Sequence, residues 1–465
     1  MSHPTTAAPA PRASARPELL ARARQIQQQE MSRLLARSSG SARLFERASR
    51  TLPLGVVSSF QKGDPYPIYL SHGRGSQVWD QDGHQYTDFH GGFGAMVVGH
   101  AHPRIVEAIG EAASRGTHFA VTTEEAVAWG EEICRRFRLE MLRFANSGTE
   151  ATMDAIRVAR AATGRDVICK IEGSYHGHHD AVMFSIVPNA DLMGGRDRPA
   201  SAPVSRGMTR DAARYIAVTP FNDAEVLERI FAEQGSEIAC LIMEPVMMNI
   251  GIVLPQIAFL KRARELCDKH GVVLIYDEVK TGFTIAAGGA TERFGVQPDL
   301  VCLAKAIAAG LPAAAFGGRA DLMNLIGQGV SQMGTYNGNP LVAHVGLVML
   351  KEILTPAGYQ HLARLGTRLA AGCQRVIDAA GLPAHTIDLG AKGCVSYRST
   401  PMNNYRDFLD TLPELFAASY PWLLNRGIFM TPGDEEQWTL SVQHSEADID
   451  RYVDAFAELC AELAA

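Results

Sequence analysis

Leu274-Ile275-Tyr276-Asp277-Glu278-Val279, followed by Asp299-Leu300-Val301-Cys302-Leu303-Ala304-Lys305, sets an acid at the end of one apolar run and a lysine at the end of the next. An isolated Asp is ordinarily a strand-end turn residue and an isolated Lys a surface residue, because charged groups sit in water. Lys305 breaks that expectation. Val301 to Ala304 before it and Ala306 to Ala309 after it carry no other charge, and a lysine buried there without a task costs several kcal/mol. An acid and a lysine so placed can grip an aromatic cofactor from two sides.

Pyridoxal 5′-phosphate (PLP) needs that pairing. A lysine amine bonds the cofactor aldehyde and shuttles protons once its pKa is lowered. A carboxylate facing the pyridine nitrogen keeps the nitrogen protonated, so that the ring absorbs carbanion electrons. At about 4 Å and an effective dielectric near 20, such a pair is worth about 4 kcal/mol before desolvation.

The chain is long enough to bury a cofactor. Its 465 residues, 46% of them hydrophobic, exceed one ordinary core, so a large and a smaller domain are expected. A net charge of −6 offers no basic surface for nucleic acid or an anionic membrane. No apolar run approaches the ~18 residues of a membrane span. Eight cysteines lie singly in apolar segments with no CxxC pair, as in a reduced cytoplasmic protein.

Residues 1–17, rich in Ala, Pro, Ser and Thr and interrupted by Pro4, Pro9, Pro11 and Pro17, read as a disordered tail. Residues 18–50 show helical spacing closed by Pro53 and Gly55, and Gln77 to Phe89 reads as two strands around Asp82-Gly83. Residues 18–90 therefore form an N-terminal helix, arm and hairpin. From 91 to 335, helical segments alternate with the apolar runs 142–144, 167–171, 215–218, 238–243 and 272–276. These are the signature of an α/β domain around a mostly parallel sheet, which binds ligands at the carboxyl ends of its strands. Residues 336–465 read as a smaller α+β domain finishing on a helix from Ser445 to Leu463. The Gly- and Pro-rich stretch 187–209 is either a lid or a surface loop, since that composition marks both.

Asn146-Ser147-Gly148-Thr149-Glu150 lies between an apolar run and an amphipathic helix. A polar turn there presents free N–H groups and hydroxyls to a phosphate, although Ser, Thr and Asn also serve as ordinary helix caps. Ser174-Tyr175-His176-Gly177-His178-His179-Asp180 crowds three imidazoles together. Consecutive placement on a Gly-containing turn makes poor tetrahedral geometry, so no metal is expected. Tyr175 is better suited to stack on a cofactor ring.

These motifs, with Trp79-Asp80-Gln81-Asp82-Gly83, Gly99-His100-Ala101-His102-Pro103, Gly173-Ser174-Tyr175-His176-Gly177 and Glu244-Pro245-Val246, make the chain resemble class III, fold-type I PLP enzymes over about residues 40–455. Within them it is similar to glutamate-1-semialdehyde aminomutases and their aminotransferase relatives. The resemblance implies a seven-stranded, mostly parallel sheet. Lys305 would carry the cofactor and move the proton, Asp277 would pair with the ring nitrogen, and Ser147, Gly148 and Thr149 would bind the phosphate. Tyr175 and Val279 would cover the two ring faces, with His176, Glu244 and Asn249 completing the cofactor shell. Thr335 would reach the phosphate of a neighbouring subunit, which implies a homodimer.

The sequence departs from the aminomutase pattern where substrate is held. An arm arginine that grips the substrate carboxylate is matched by Gln61, whose neutral amide cannot make the bidentate charged contact. Phe93 stands where the aminomutase has tryptophan, and Glu436 matches its gating residue. No arginine lies between Arg426 and Arg451. The expectation is a ping-pong aminotransferase acting between an amine or amino acid and a carbonyl acceptor, with an aminomutase or a racemase/epimerase as alternatives.

Overall fold

The computed structural model of the protein describes residues 17–433 and 437–465. The expected N-terminal helical stretch is two helices, Pro17–Arg37 and Ser39–Ala48. They part at the buried Ser38, whose hydroxyl donates to the Leu34 carbonyl (2.8 Å). A meander follows: β1 (Leu70–Arg74), β2 (Gln77–Asp80) and β3 (Gln85–Asp88). The β2–β3 pair turns where expected, with Gly83 at φ 85°. Strand β1, Leu-Ser-His-Gly-Arg, has no apolar alternation and is mostly exposed, so periodicity could not mark it.

The central sheet contains β4 (Met141–Ala145), β5 (Val167–Ile171), β6 (Ile216–Thr219), β7 (Ile238–Met243), β8 (Val273–Asp277), β9 (Leu300–Leu303) and β10 (Ala314–Gly318). Their spatial order is β4-β10-β9-β8-β7-β5-β6. Strands β6, β5, β7, β8 and β9 are parallel, while β10 runs antiparallel to both neighbours. Strands β5 to β9 are buried throughout, which is why their sequences are predominantly apolar, Lys170 in β5 and Asp277 at the end of β8 apart. The sequence of β10, Ala-Ala-Phe-Gly-Gly, carries no strand signal. A Cβ at Gly318 would collide with the Asp299 carbonyl, and one at Gly317 with the Met141 carbonyl, so close backbones dictate those glycines.

Asp299 fixes the register that matters. Its carboxylate accepts the Leu274 N–H (2.8 Å) and is held by Arg264 (2.8 Å) and Arg319 (3.0 Å). The starts of β8 and β9 are thereby locked, with Asp277 opposite Cys302. Asp277 and Lys305 consequently emerge at the same edge of the sheet.

Beyond the sheet, the helices Pro340–Val348 and Pro356–Ala380 lead to β11 (His385–Leu389), β12 (Lys392–Ser396), β13 (Ile428–Phe429) and β14 (Trp438–Thr439). Ser445 and Asp448 form a capping box on the last helix, Glu446–Ala464. Strand β13 pairs in parallel with β3, and Arg22 of the first helix meets Glu462 of the last at 2.5 Å. Among the described residues no single helix is long and apolar enough to cross a membrane.

The stretch 187–209 is a tethered surface loop. Arg406, paired with Glu172 through two 2.9 Å bonds, donates to the Gly194 and Gly195 carbonyls, and the Tyr405 hydroxyl donates to the Pro188 carbonyl. None of its residues lines the candidate site in this conformation.

Candidate active site

A cavity of about 330 Å³ opens over the carboxyl ends of the central strands. Asp277, the last residue of β8, is buried in its floor. One carboxylate oxygen lies 2.8 Å from His176 Nδ1, and the other accepts the Val279 N–H at 3.1 Å. His176 is itself buried and pinned by a 2.6 Å bond from Thr152 Oγ1 to its carbonyl. Its Nε2 has no partner among the described residues.

Lys305 also lines the cavity, immediately after β9. It begins a short 3-10 turn at φ 48°, the left-handed region that side chains avoid. Such strain persists where surrounding structure over-determines it, commonly at functional sites. Here the turn ends the strand at the cavity.

Ser147 caps the helix Gly148–Thr163, its hydroxyl accepting the Glu150 N–H at 3.2 Å. Glu150 returns a 2.6 Å bond to the Asn146 N–H. Ser147, Gly148 and Thr149 line the cavity at this helix start, where free N–H groups suit an anion. A Cβ at Gly148 would stand 3.0 Å from Val279, so glycine lets this helix start approach the residue expected over the ring. Thr149 Oγ1 lies 3.1 Å from His178 Nδ1.

Glu244 ties two loops together, accepting the Tyr175 N–H (3.0 Å) and the Met248 N–H (2.9 Å). Beneath it Lys170, whose pKa burial pulls down to about 7, donates to the Ser174 and Phe184 carbonyls. Sequence reasoning missed this brace, although a lysine inside the apolar run Val167–Ile171 was its visible signal. Burial first, then the Asp277 charge, raises the Tyr175 hydroxyl above its ordinary value. Asn249 lines the cavity close to Glu244. His179 is engaged by Thr152 (3.3 Å), and burial lowers it to about 4. No three His, Cys, Asp or Glu among the described residues are placed to hold a metal.

The substrate-side expectations fare differently. Phe93 lines the cavity, and so does Phe60, which the sequence reading did not single out. Gln61 is exposed and outside the lining, because successive residues of the tight turn Ser59–Gln61 point in different directions and Phe60 takes the inward one. Thr335 is exposed and lines a separate cavity of about 880 Å³. Glu436 lies outside the described residues.

The sequence pattern of the Aminotransferase class-III family matches residues 59–390. The chain belongs to the class-III aminotransferases. One relative of this class-III chain is a glutamate-1-semialdehyde 2,1-aminomutase of Syntrophobacter fumaroxidans, 38% identical over 90% of this chain and 98% of the relative. Among solved structures, an omega-transaminase from Sphaerobacter thermophilus is 34% identical with a TM-score of 0.86, covering 91% of this chain and 97% of its own. A transaminase with PLP bound is 32% identical with a TM-score of 0.83, over 92% and 98% of the two chains.

The cofactor of this class-III enzyme is PLP, and the site fits it. The helix start Ser147 to Thr149, the buried Asp277 carboxylate with its His176 partner, and Lys305 border one cavity. The cofactor residues that the sequence named within one chain all border this cavity, and Thr335, expected to serve a neighbouring subunit, borders the separate one.

Proposed function

We propose that this aminotransferase moves an amino group from an amine or amino acid donor to a carbonyl acceptor by a ping-pong sequence. The observation that carries the reading is the convergence of Asp277 and Lys305 on a cavity whose described lining contains no arginine. A site without a guanidinium holds a substrate carboxylate weakly, which favours amines or amino acids gripped by their side chains.

Bound PLP would supply an electron sink for the donor's α-carbon. Lys305 would hold the cofactor covalently, yield to the donor amine, and then take the α-proton as general base. Asp277, oriented by His176, would keep the ring nitrogen protonated. Ser147, Gly148 and Thr149 would bind the phosphate, Tyr175 and Val279 would cover the ring faces, and Glu244 and Asn249 would set the edge near its phenolic oxygen. Phe93 would contact substrate.

The same reading assigns residues 18–90 and 336–465 to a small domain and 91–335 to the large one. It makes the enzyme a homodimer, with Thr335 completing the neighbouring phosphate site. Supporting it, Thr335 stands beside an exposed apolar face that includes Val121 (71% exposed), Met333 (86%) and Tyr336 (63%). Eight cysteines free of disulfides support a cytoplasmic location.

The likeness to the Syntrophobacter aminomutase favours a second reading, intramolecular transfer on glutamate-1-semialdehyde. A single-turnover assay separates the two. PLP-loaded enzyme given only a donor amine should release about one carbonyl product per site. Failure to release it, together with isomerisation of glutamate-1-semialdehyde without a second substrate, would establish the aminomutase instead. Exchange of an α-proton with inversion and no carbonyl product would indicate a racemase.

A further inference from the structure

The mouth of the cavity is walled by rings from three separate segments. Phe60 of the N-terminal arm stands edge-on to Tyr175, with centroids 5.6 Å apart and planes at 89°. It also lies 6.2 Å from Phe93 at 59°, and Phe93 in turn meets His90 at 4.5 Å and 65°. These are the offset, tilted geometries that aromatic quadrupoles favour. Phe60 is nonetheless 60% exposed in the single subunit, so these ring contacts leave part of it open.

Phe93 is held rather than adaptable. Gly91, Gly92, Phe93 and Gly94 have φ of 56°, 57°, 55° and 92°, a left-handed turn in which Phe93 alone carries a side chain. Asp88 secures its start, accepting the His90 N–H at 2.9 Å and the Gly91 N–H at 3.0 Å, with its other oxygen 2.6 Å from His100 Nε2. A Cβ at Gly91 would press on Thr439 at 2.7 Å, so the small domain supports the turn from behind. Strain of this kind, kept at a cavity wall, is commonly tied to function.

Resting on the transamination reading, we propose that the site takes donors or acceptors bearing an aryl group, and that Phe60 is a specificity-determining residue that selects it. A flat ring entering between Phe60, Phe93 and Tyr175 continues the edge-to-face pattern and covers Phe60. A saturated ring of similar size gains the same burial without the quadrupole match.

The test compares benzylamine with cyclohexylmethylamine as donors for the PLP-loaded enzyme. The expected preference in kcat/KM is about tenfold for benzylamine, the size of one good aromatic pair. Phe60→Leu should bring that ratio near one, and Phe60→Trp, which restores a ring, should keep it. Calorimetric binding of unreactive benzyl alcohol against cyclohexylmethanol should show the same order and the same response to Phe60→Leu. Equal kcat/KM for the two amines, or a ratio that Phe60→Leu leaves unchanged, overturns the inference while transamination stands. If no amine or amino acid reacts, transamination falls, and the two alcohols still decide whether the wall reads an aryl group. Should Phe60→Leu not fold, the Phe93→Leu ratio decides in its place.

Discussion

The floor of the cavity and its mouth are built by opposite means. The floor stands on strand ends: Asp277 closes β8, Lys305 follows β9, and Asp299 with two arginines locks the two strands in register. The mouth stands on irregular backbone, the short turn Ser59–Gln61 and the left-handed Gly91–Gly94. The strand ends fix the chemistry, because register determines where a side chain arrives. The irregular segments set selection, because neighbouring residues in a turn face different ways. One substitution inside the floor should therefore cost catalysis outright, and one at the mouth should redistribute it among substrates.

The largest expected effect is at Lys305. Lys305→Ala should lower transamination by about 10³-fold or more, as expected for loss of both the covalent anchor and the general base. Stopped-flow half-reactions measure this, and the visible absorbance band of the PLP-loaded enzyme should disappear with it. A variant with near-normal rates would place the reacting lysine elsewhere.

Asp277→Asn keeps the shape but removes a buried charge. It should weaken PLP retention by about 10²-fold, the usual cost of truncating one partner of a buried charged pair. Equilibrium dialysis would show it. Retention equal to that of the wild type would mean that the floor is held by the phosphate cup alone.

Next to Asp277, burial pushes the Glu278 carboxyl from 4.5 up to about 7, although it accepts bonds from Ala290 and Thr281. Between those values the folded chain holds the proton more tightly than the unfolded one. Stability should accordingly fall as pH rises from about 4.5 to about 7 and level off above, by up to about 3 kcal/mol. Urea midpoints against pH read this slope, and Glu278→Gln should flatten it. A wild-type slope of the opposite sign through that window would exclude Glu278 as its source.

The smallest effect is expected at Gln61. Because Gln61 is exposed and outside the lining, Gln61→Arg should change the preference for carboxylated over uncarboxylated donors by less than about threefold, well under what a seated guanidinium gives. A donor panel checks it. A tenfold swing toward amino acids would mean that the arm can turn its next residue inward, and the contrast between floor and mouth would narrow.

Much of the floor was legible in the sequence. The acid and the lysine stood out because their neighbours are apolar, and the polar turn Asn146 to Thr149 stood between strand and helix as a phosphate cup requires. Apolar runs located β5 to β9 to within a residue or so. Strand β10 was hidden because close backbones demanded alanine and glycine where β-formers would have announced it. The mouth was far less legible. Nothing in Ser59-Phe60-Gln61 shows which residue turns inward, and no periodicity signals four successive positive φ angles. The Gly- and Pro-rich stretch 187–209 had an ambiguous composition, and Arg406, which tethers it here, lies some two hundred residues away in sequence.

Strand β13 lies in parallel against β3, roughly 340 residues earlier in the chain, and the first helix bonds the last. During synthesis the opening helix and hairpin thus leave the ribosome long before the segments that cover them. At about 5–20 residues per second that interval is on the order of tens of seconds. Through it the β3 edge and the apolar side of Pro17–Arg37 stay uncovered, so the nascent enzyme is most open to wrong pairings and to chaperones at its first-made end.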